Sequence, residues 1–253
     1  MRRAQRLNEI LSALVADGNL DVRTLAERFG VSTATARRDL ALLEEQRLLA
    51  RTRGGATTHA AFHDLPVRYK AMQELPQKRR IAAAARQFLN GARVIGVTGG
   101  TTVTEFTRLL TDSDDGITVV TNALNIALDL VGNPRIRVLA AGGEARSSSY
   151  ETVGASAESF LESCNLDVAF VGVDGVDAGA GCTNYDPGGA RVNALMCRRA
   201  RRRVVLADGK KIGRVALATV CDMNDVDVLV TDDTAAPDLV RQIEQRGTRV
   251  ILA

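Results

Sequence analysis

The sequence predicts an α/β protein with two unequal domains: a small helical domain at the amino terminus and a larger domain built around a mainly parallel sheet. The chain has 253 residues, whereas one domain usually contains about 100 to 200. Residues 1–60 hold 10 of the 33 basic residues and 7 of the 30 acidic ones, so the net charge of +3 lies entirely in this segment. From residue 78 onwards, short apolar segments alternate with helical patterns, as in parallel sheets with crossover helices.

Composition excludes several classes of protein. Apolar residues make up 45% and charged residues 25% of the chain, which is typical of a folded globular protein. Residues 1–9 are amphipathic, unlike a signal peptide, and no apolar run approaches the roughly 18 residues of a membrane span. The four cysteines are 15 to 24 residues apart, without the close pairs of zinc or redox motifs. We therefore expect a soluble, cytoplasmic protein with reduced thiols and no membrane partner.

Two helices are predicted before residue 31. Apolar residues recur at helical spacing from Leu7 to Val15, and residues 17–19 form a cluster that ends helices. Asp21 is expected to cap a second helix of about two turns. That helix should end at Gly30, because glycine tolerates a left-handed backbone.

A third helix is expected to begin after Ser32, whose hydroxyl can cap it. Its inward side carries Ala36, Leu40 and Leu43, within about 40° of one another at helical spacing. Small, hydroxyl and basic residues lie on or beside the opposite side: Ala34, Thr35, Arg37, Arg38 and Ala41. Such a face suits a helix in a DNA major groove, because small side chains permit close approach and arginine can bind guanine or phosphate. A solvated face is the alternative.

The order of these elements favours DNA binding. A helix, a short helix, a glycine turn and a capped basic helix make the helix-turn-helix arrangement. Residues 48–55 follow as a short basic strand and turn, which predicts a wing that touches the DNA backbone. We therefore assign binding of a double-stranded DNA operator to Ser32, Thr33, Thr35, Arg37, Arg38, Arg51 and Arg53.

A linker is predicted between the two domains. Residues 57–76 contain Pro66 and Pro76 and have no clear periodicity. The predicted boundaries are a winged helix-turn-helix at 1–56, a linker at 57–76 and a second domain at 77–253. His59 and His63 could both face a metal on a helix, but no third ligand is evident, so no metal site is expected. They are the only histidines, which leaves little room for histidine-based catalysis.

The second domain should contain a mainly parallel sheet covered on both faces. Strands are predicted at 93–97, 117–121, 136–140, 167–173, 204–207, 226–230 and 250–252. Helices are predicted at 81–89, 103–110, 124–131, 190–202 and 239–245. Ligands of such folds bind at the carboxyl ends of the strands.

Polar and glycine residues follow five of these strands. Residues 98–102 come after one strand and open a helix, so bare amides and hydroxyls there could hold a phosphate. The segment is neither a dinucleotide-binding motif nor a P-loop, and each loop alone could be a turn or cap. Together they favour a site for a phosphorylated polyol, with amides and a lysine for the phosphate and Asp or Asn for hydroxyls. The candidate residues are Gly99, Gly100, Thr101, Thr102, Thr121, Asn122, Gly142, Gly143, Asp174, Gly175 and Lys211.

The amino-terminal residues resemble the signature of DeoR-type transcriptional regulators. The similarity rests on Arg6, Ile10, Leu14, Ser32, Thr35, Ala36, Arg37, Arg38, Asp39 and Leu40. Residues 51–56 are similar to the Arg-x-x-Gly-Gly-Ala that ends the winged module of this family. By resemblance, Asp39 braces the arginines or a helix terminus rather than facing DNA.

The larger domain resembles the DeoR sensor domain, which is similar in fold to ribose-phosphate isomerases and binds phosphorylated sugars. The similar motifs are 100–102, 121–122, 142–143, 172–174 and Asp208-x-x-Lys211. The chain departs from the family where Thr98-Gly99 replaces an Asp that often precedes Gly-Thr-Thr, and where Gly189 replaces a Glu. Residues 190–197 resemble the amino-sugar branch, which includes N-acetylgalactosamine regulators.

These observations predict a transcriptional repressor of a sugar-catabolism operon, controlled by a phosphorylated sugar and needing no cofactor. A homo-oligomer, a dimer or tetramer, is expected because one winged module usually needs a partner to bind a two-fold operator. One alternative is an isomerase-like enzyme, because residues 174–177 look like the Asp-Gly-Ala-Asp of the isomerases. The Lys and Glu that follow in those enzymes are missing here, and proton abstraction needs a placed base. A DNA-binding module fused to an inert oligomerisation domain is a third possibility.

Overall fold

The computed structural model describes residues 3–45, 48–57, 67–71, 73–111 and 116–253. The chain divides into two compact units, residues 1–70 and residues 71–253. The candidate histidines His59 and His63 lie outside the described residues.

The first unit combines helices with a small antiparallel sheet. The elements are α1 (Arg3–Asp17), β1 (Asn19–Asp21), α2 (Val22–Phe29), α3 (Thr33–Glu45), β2 (Ala50–Thr52), β3 (Gly55–Thr57) and α4 (Val67–Lys70). The strand order is β1-β3-β2, and β1 forms where the sequence predicts only a turn after helix one. Gly55 permits this pairing, because a Cβ there would collide with the backbone of Leu20. Helix α4 lies within the segment predicted as a linker.

Local capping determines where two of these helices begin and end. The Asp21 carboxylate accepts hydrogen bonds from the amides of Arg23 at 2.7 Å and Thr24 at 3.3 Å. Gly30 ends α2 with φ 61° and ψ 39°, the left-handed conformation that glycine adopts without strain. The Ser32 hydroxyl oxygen accepts from the Thr35 amide at 3.2 Å. All three predicted capping residues are confirmed.

The second unit contains a seven-stranded parallel sheet. Its elements are α5 (Leu75–Ala85), β4 (Val94–Val97), α6 (Thr101–Arg108), β5 (Thr118–Thr121), α7 (Leu124–Val131), β6 (Arg137–Ala140), β7 (Glu144–Ala145), β8 (Thr152–Val153), α8 (Ala155–Glu162), β9 (Leu166–Gly172), β10 (Gly175–Asp177), β11 (Gly181–Asn184), α9 (Pro187–Arg199), β12 (Ala200–Leu206), β13 (Ala218–Cys221), β14 (Val228–Thr231), α10 (Pro237–Glu244) and β15 (Arg249–Leu252). The strand order is β15-β14-β12-β9-β4-β5-β6, and every neighbouring pair is parallel. All seven predicted strands belong to this sheet.

Several elements differ from the prediction. The helix expected to reach residue 202 ends at Arg199, because Ala200 already pairs with Leu166 of β9. Helix α8, the antiparallel sheet β10-β11-β13 and the hairpin β7-β8 were not predicted. Their strands have only two to four residues, too few for an alternating pattern to stand out.

Both faces of the main sheet are covered. Helices α5, α6 and α7 pack on one face through residues such as Ile81, Phe106 and Ile126. Residues of α8, α9 and α10, such as Leu161 and Met196, pack on the other. This confirms the predicted two-sided parallel sheet, and it leaves the carboxyl ends of the strands as the edge where loops can form a site.

The described helices include none that is long and apolar enough to cross a bilayer. All four cysteines are free thiols; Cys182 and Cys197 are buried, and Cys164 and Cys221 are half-buried.

Candidate functional site

Helix α3 has one buried and one exposed side. Ala36, Leu40 and Leu43 are buried in the core of the first unit. The exposed residues of the helix include Thr33, Ala34, Arg37, Arg38 and Ala41, and Thr35 is half-buried. The face predicted for DNA contact is therefore the solvent-facing side of α3.

Two of the candidate hydroxyls already have a local role. Ser32 and Thr35 form a hydrogen bond between their hydroxyl oxygens at 3.0 Å, and Ser32 also accepts the Thr35 amide. These contacts begin the helix and orient its first turn. Any contact of Ser32 with DNA would have to be shared with this cap.

Asp39 ties α3 to α1. Its side chain is 2% exposed and accepts from Arg6 Nε at 2.7 Å and Arg3 Nε at 3.3 Å. The carboxylate is thus neutralised inside the unit, and its partners are arginines of α1 rather than its neighbours Arg37 and Arg38. This arrangement keeps a negative charge away from the exposed face of the helix.

The wing is the hairpin of β2 and β3. Arg51 and Arg53 are both exposed on it. Gly54, at the turn, has φ 125°, and its carbonyl oxygen accepts from the Val22 amide at 2.9 Å. The turn of the wing is therefore attached to the start of α2, which holds its two arginines in a defined place relative to the helices.

Five candidate loops follow strands β4, β5, β6, β9 and β12, which are parallel, so all five lie at the same edge of the sheet. Thr98 joins two of these strand ends. Its hydroxyl accepts from the Gly172 amide at 2.8 Å and donates to the Gly99 carbonyl oxygen at 3.1 Å. Gly100 has φ 121°, a conformation that residues with a side chain rarely adopt. This backbone brings the start of α6 against the end of β9.

Buried polar atoms without partners surround this loop. Among the described residues, the Thr102 hydroxyl and the side-chain oxygens of Asn122 and Asn193 have no hydrogen-bond partner. The Asn193 amide nitrogen donates to the Gly172 carbonyl oxygen at 3.2 Å. An unpaired buried polar group costs about 1 to 3 kcal/mol, so such atoms are uncommon and are candidates for ligand contact.

The sequence predicts a bare amide at Gly99, but in the structure this amide is occupied. It donates to Oε1 of Glu151 at 3.2 Å, and Glu151 was not a predicted site residue. Burial is the largest cause that raises the pKa of Glu151, and the nearby Asp174 raises it further. Arg146, also not predicted, lowers this pKa and stands 3.7 Å from Glu151 Oε2.

Arg146 joins two carboxylates. Its Nε lies 3.3 Å from Oδ2 of Asp186, which also accepts the Gly189 amide at 2.6 Å and so caps α9. For Arg146 and Glu151, the only sequence signal was the presence of opposite charges in the segment that follows Gly142-Gly143. That signal does not specify which loop the side chains would enter.

Lys211 and Asp174 meet the loop that follows β9. Lys211 Nζ donates to the Val173 carbonyl oxygen at 2.6 Å. The Asp174 carboxylate accepts from the Tyr185 amide at 3.2 Å. Both predicted residues therefore lie at the end of β9, beside the strand end that carries Gly99.

Other candidates have structural explanations. Thr121 Oγ1 accepts from the Ala123 amide at 3.0 Å. A Cβ at Gly143 would lie 2.5 Å from the Val153 carbonyl oxygen, and one at Gly175 would collide with the Arg214 carbonyl oxygen. These residues shape the edge whether or not they touch a ligand.

A separate groove of about 420 Å³, lined in part by Gly179 and Gln242, contains none of the candidate residues.

Comparison with known proteins identifies the family. The model of the DeoR C terminal sensor domain matches residues 73–233, and that of the DeoR-like helix-turn-helix domain matches residues 6–61. The chain belongs to the DeoR family. It is therefore a DNA-binding transcriptional regulator, and its parallel sheet is the core of a DeoR sensor domain.

The relatives of this DeoR protein match it along nearly their whole length. A protein of Escherichia coli O157:H7 assigned as the aga operon transcriptional repressor is 32% identical, over 98% of this chain and 93% of the relative. The glycerol-3-phosphate regulon repressor of Escherichia coli K12 is 30% identical, over 92% of each chain. Both names describe regulators rather than enzymes.

Ribose 5-phosphate isomerase A from Neisseria gonorrhoeae is similar to this DeoR protein in fold alone. That structure has a TM-score of 0.39 and 20% identity, and the match covers 53% of this chain and 52% of the isomerase. Two carboxylates in and after the isomerase-like segment 174–177 have structural roles: Asp177 accepts the amides of Gly179 at 2.8 Å and Ala180 at 2.9 Å, and Asp186 caps α9. The isomerase alternative is thus disfavoured.

Proposed function

We propose that this DeoR-family protein is a cytoplasmic repressor of a sugar-catabolism operon, which binds operator DNA through the first unit and a phosphorylated sugar through the second. The observation that carries the proposal is the exposed basic face of α3. Arg37 and Arg38 are exposed although the opposite side of the same helix is buried. A regulator of this kind needs two sites whose affinities depend on each other.

The DNA site comprises α3 and the wing. Thr33, Arg37 and Arg38 would face the major groove, where arginine can bind guanine by two hydrogen bonds. Arg51 and Arg53 would contact phosphates beside the groove, which positions the protein without selecting bases. Operators are commonly two-fold, so we propose that the protein acts as a homo-oligomer with two such units on one site.

The ligand site lies at the carboxyl edge of the parallel sheet. The amides at the start of α6 and the Thr102 hydroxyl would hold the phosphate, because a helix amino terminus favours an anion. Lys211 would add a charge-assisted contact. Asp174 and Asn122, at the ends of β9 and β5, would bind sugar hydroxyls. The similarity to an aga operon repressor and to the amino-sugar branch supports an amino-sugar phosphate among the candidates.

The experiment measures operator affinity by fluorescence anisotropy while sugar phosphates are titrated. The panel contains hexose, amino-sugar and triose phosphates. Thr102→Ala and Lys211→Ala should each remove about 1.5 to 3 kcal/mol of ligand affinity, as expected for a lost hydrogen bond to a charged group. Operator affinity without ligand should stay close to wild type, because neither residue belongs to the first unit.

Two matched variants serve as controls. Lys210→Ala removes the neighbouring lysine, which is exposed and pairs with Glu74. Thr219→Ala removes an exposed hydroxyl on β13. Both should respond to ligand as wild type does. If Thr102→Ala and Lys211→Ala also respond at wild-type concentrations, the site is elsewhere; if no sugar phosphate changes operator affinity, the proposed regulation is wrong.

A further inference from the structure

A carboxylate sits on the loop that we assign to the ligand phosphate. Glu151 is 8% exposed, and its Oε1 accepts the Gly99 amide at 3.2 Å. This amide belongs to the turn immediately before α6, where the helix dipole and unpaired amides favour an anion. The side chain of Glu151 thus makes the type of contact that a phosphate oxygen would make.

The sequence of the loop leaves room for this carboxylate. A Cβ at Gly99 would stand 2.5 Å from Cγ, 2.6 Å from Cδ and 2.7 Å from Oε1 of Glu151. Any side chain at Gly99 would therefore displace the carboxylate. Glycine at this position allows the contact.

Burial, rather than the neighbouring charges, disfavours the anionic form of Glu151. Burial and the carboxylate of Asp174 raise its pKa, and the Ser149 hydroxyl, Arg146 and the Gly99 amide lower it, with a net increase. Arg146 is also shared with Asp186. The carboxylate is thus held in place at an electrostatic cost, which a dianion bound beside it would increase.

Glu151 reaches the loop from the hairpin β7-β8. The Arg146 amide donates to the Glu151 carbonyl oxygen at 2.9 Å, and the Tyr150 amide donates to the Arg146 carbonyl oxygen at 2.8 Å. Tyr150 has φ 60°, a left-handed conformation that is uncommon for residues other than glycine. The turn of this hairpin therefore has a defined conformation that directs Glu151 into the loop.

We propose that Glu151 competes with the phosphate of the effector for the Gly99 amide and thereby sets the affinity and pH dependence of effector binding. The inference rests on the proposed ligand site. Effector binding requires the carboxylate either to leave Gly99, with movement of the β7-β8 turn, or to take up a proton. A protonated Glu151 carries no charge and can donate a hydrogen bond to a phosphate oxygen.

The test compares wild type with Glu151→Gln. The amide keeps the shape and an acceptor for Gly99 but has no charge. Inorganic phosphate is titrated calorimetrically into the full-length protein at constant ionic strength. Glu151→Gln should bind phosphate at least about tenfold more tightly, because it removes the repulsion between the carboxylate and the phosphate. A like charge in contact shifts a pKa by about one unit or more, and one unit corresponds to a factor of ten in affinity. Glu144→Gln, an exposed carboxylate on β7 of the same hairpin, is the matched control and should bind as wild type does.

A second measurement separates competition from a change in folding. Sulfate stays a dianion between about pH 8 and pH 5, so its affinity reports only on groups of the protein. Because the pKa of Glu151 is raised from 4.5, its protonation should strengthen sulfate binding to wild type as the pH falls. Asp174, Asp186 and Arg146 are present in both proteins, so the difference in slope between wild type and Glu151→Gln isolates Glu151. The variant should show the flatter profile.

Four outcomes are distinguishable. Tighter phosphate binding by Glu151→Gln that is abolished by adding Thr102→Ala supports both the site and the competition. Equal affinities of wild type and Glu151→Gln, both dependent on Thr102, overturn the competition and leave the proposed site intact. Weaker binding by Glu151→Gln would mean that the carboxylate assists the ligand, which also overturns the proposal. Binding that does not depend on Thr102, or no binding by either protein, overturns the ligand site and the competition together.

Discussion

Removing the Asp39 carboxylate should destabilise the DNA-binding unit without touching its exposed face. Asp39 and Arg6 are buried partners, with side chains 2% and 11% exposed and an Oδ2 to Nε distance of 2.7 Å. In Asp39→Ala, the guanidinium of Arg6 would stay largely buried without its counter-charge. Breaking a buried ion pair by removing one partner costs about 3 to 5 kcal/mol, and we expect about 3 kcal/mol here.

The second ion pair of Asp39 provides an internal comparison. Arg3 is 58% exposed and lies 3.3 Å from the same carboxylate, and exposed pairs contribute about 0 to 1 kcal/mol. Arg3→Ala should therefore cost less than 1 kcal/mol, whereas Arg6→Ala should cost several times more, because Asp39 would lose its nearer partner. The contrast between two arginines of one helix controls for changes in the charge of the unit.

Hydrogen exchange measured by mass spectrometry on the full-length protein gives the local stability. Peptides from α1 and α3 should exchange faster in Asp39→Ala and Arg6→Ala, and peptides of the parallel sheet should not. Operator affinity should fall only in proportion to the loss of folded DNA-binding unit. If Arg3→Ala and Arg6→Ala cost the same, or if Asp39→Ala costs less than about 1 kcal/mol, burial does not determine the strength of this pair and the reasoning is refuted.

Two further predictions concern the DNA face. Arg37→Ala or Arg38→Ala should weaken operator binding by about 1 to 3 kcal/mol, with fold and effector binding intact, if the residue contacts a base; unchanged operator affinity in both variants would exclude α3 from the groove. Arg51→Ala or Arg53→Ala should weaken all DNA sequences alike and reduce the salt dependence by about one unit of slope for each lost phosphate contact. A loss confined to the operator sequence would show that the wing contacts bases.

Local signals in the sequence were sufficient for much of the fold. Asp21, Gly30 and Ser32 could be assigned as helix caps because a cap depends on residues within one turn. The seven strands could be assigned because fully buried strands have continuous apolar runs between turn residues. The positions of the five polar loops followed as well, since the carboxyl ends of parallel strands must share one edge.

Contacts between distant residues could not be obtained in this way. The pair of Asp39 with Arg6 joins residues 33 apart in sequence, and the contact of Gly99 with Glu151 joins residues 52 apart. Neither position carries a periodic or turn signal that names its partner. Ala200 likewise extends β12 although it follows a helix, because hydrogen bonding to β9 outweighs local preference.

The sequence by itself determined the architecture, the family and the shared edge of the loops that we propose as a ligand site. Only the tertiary structure decided the state of the proposed site, in which a buried carboxylate accepts the Gly99 amide. The physical reason is the range of the interactions. Helical periodicity, caps and buried strands arise from neighbours along the chain, whereas the charge that reaches Gly99 depends on the path of a hairpin whose residues are far from it in sequence.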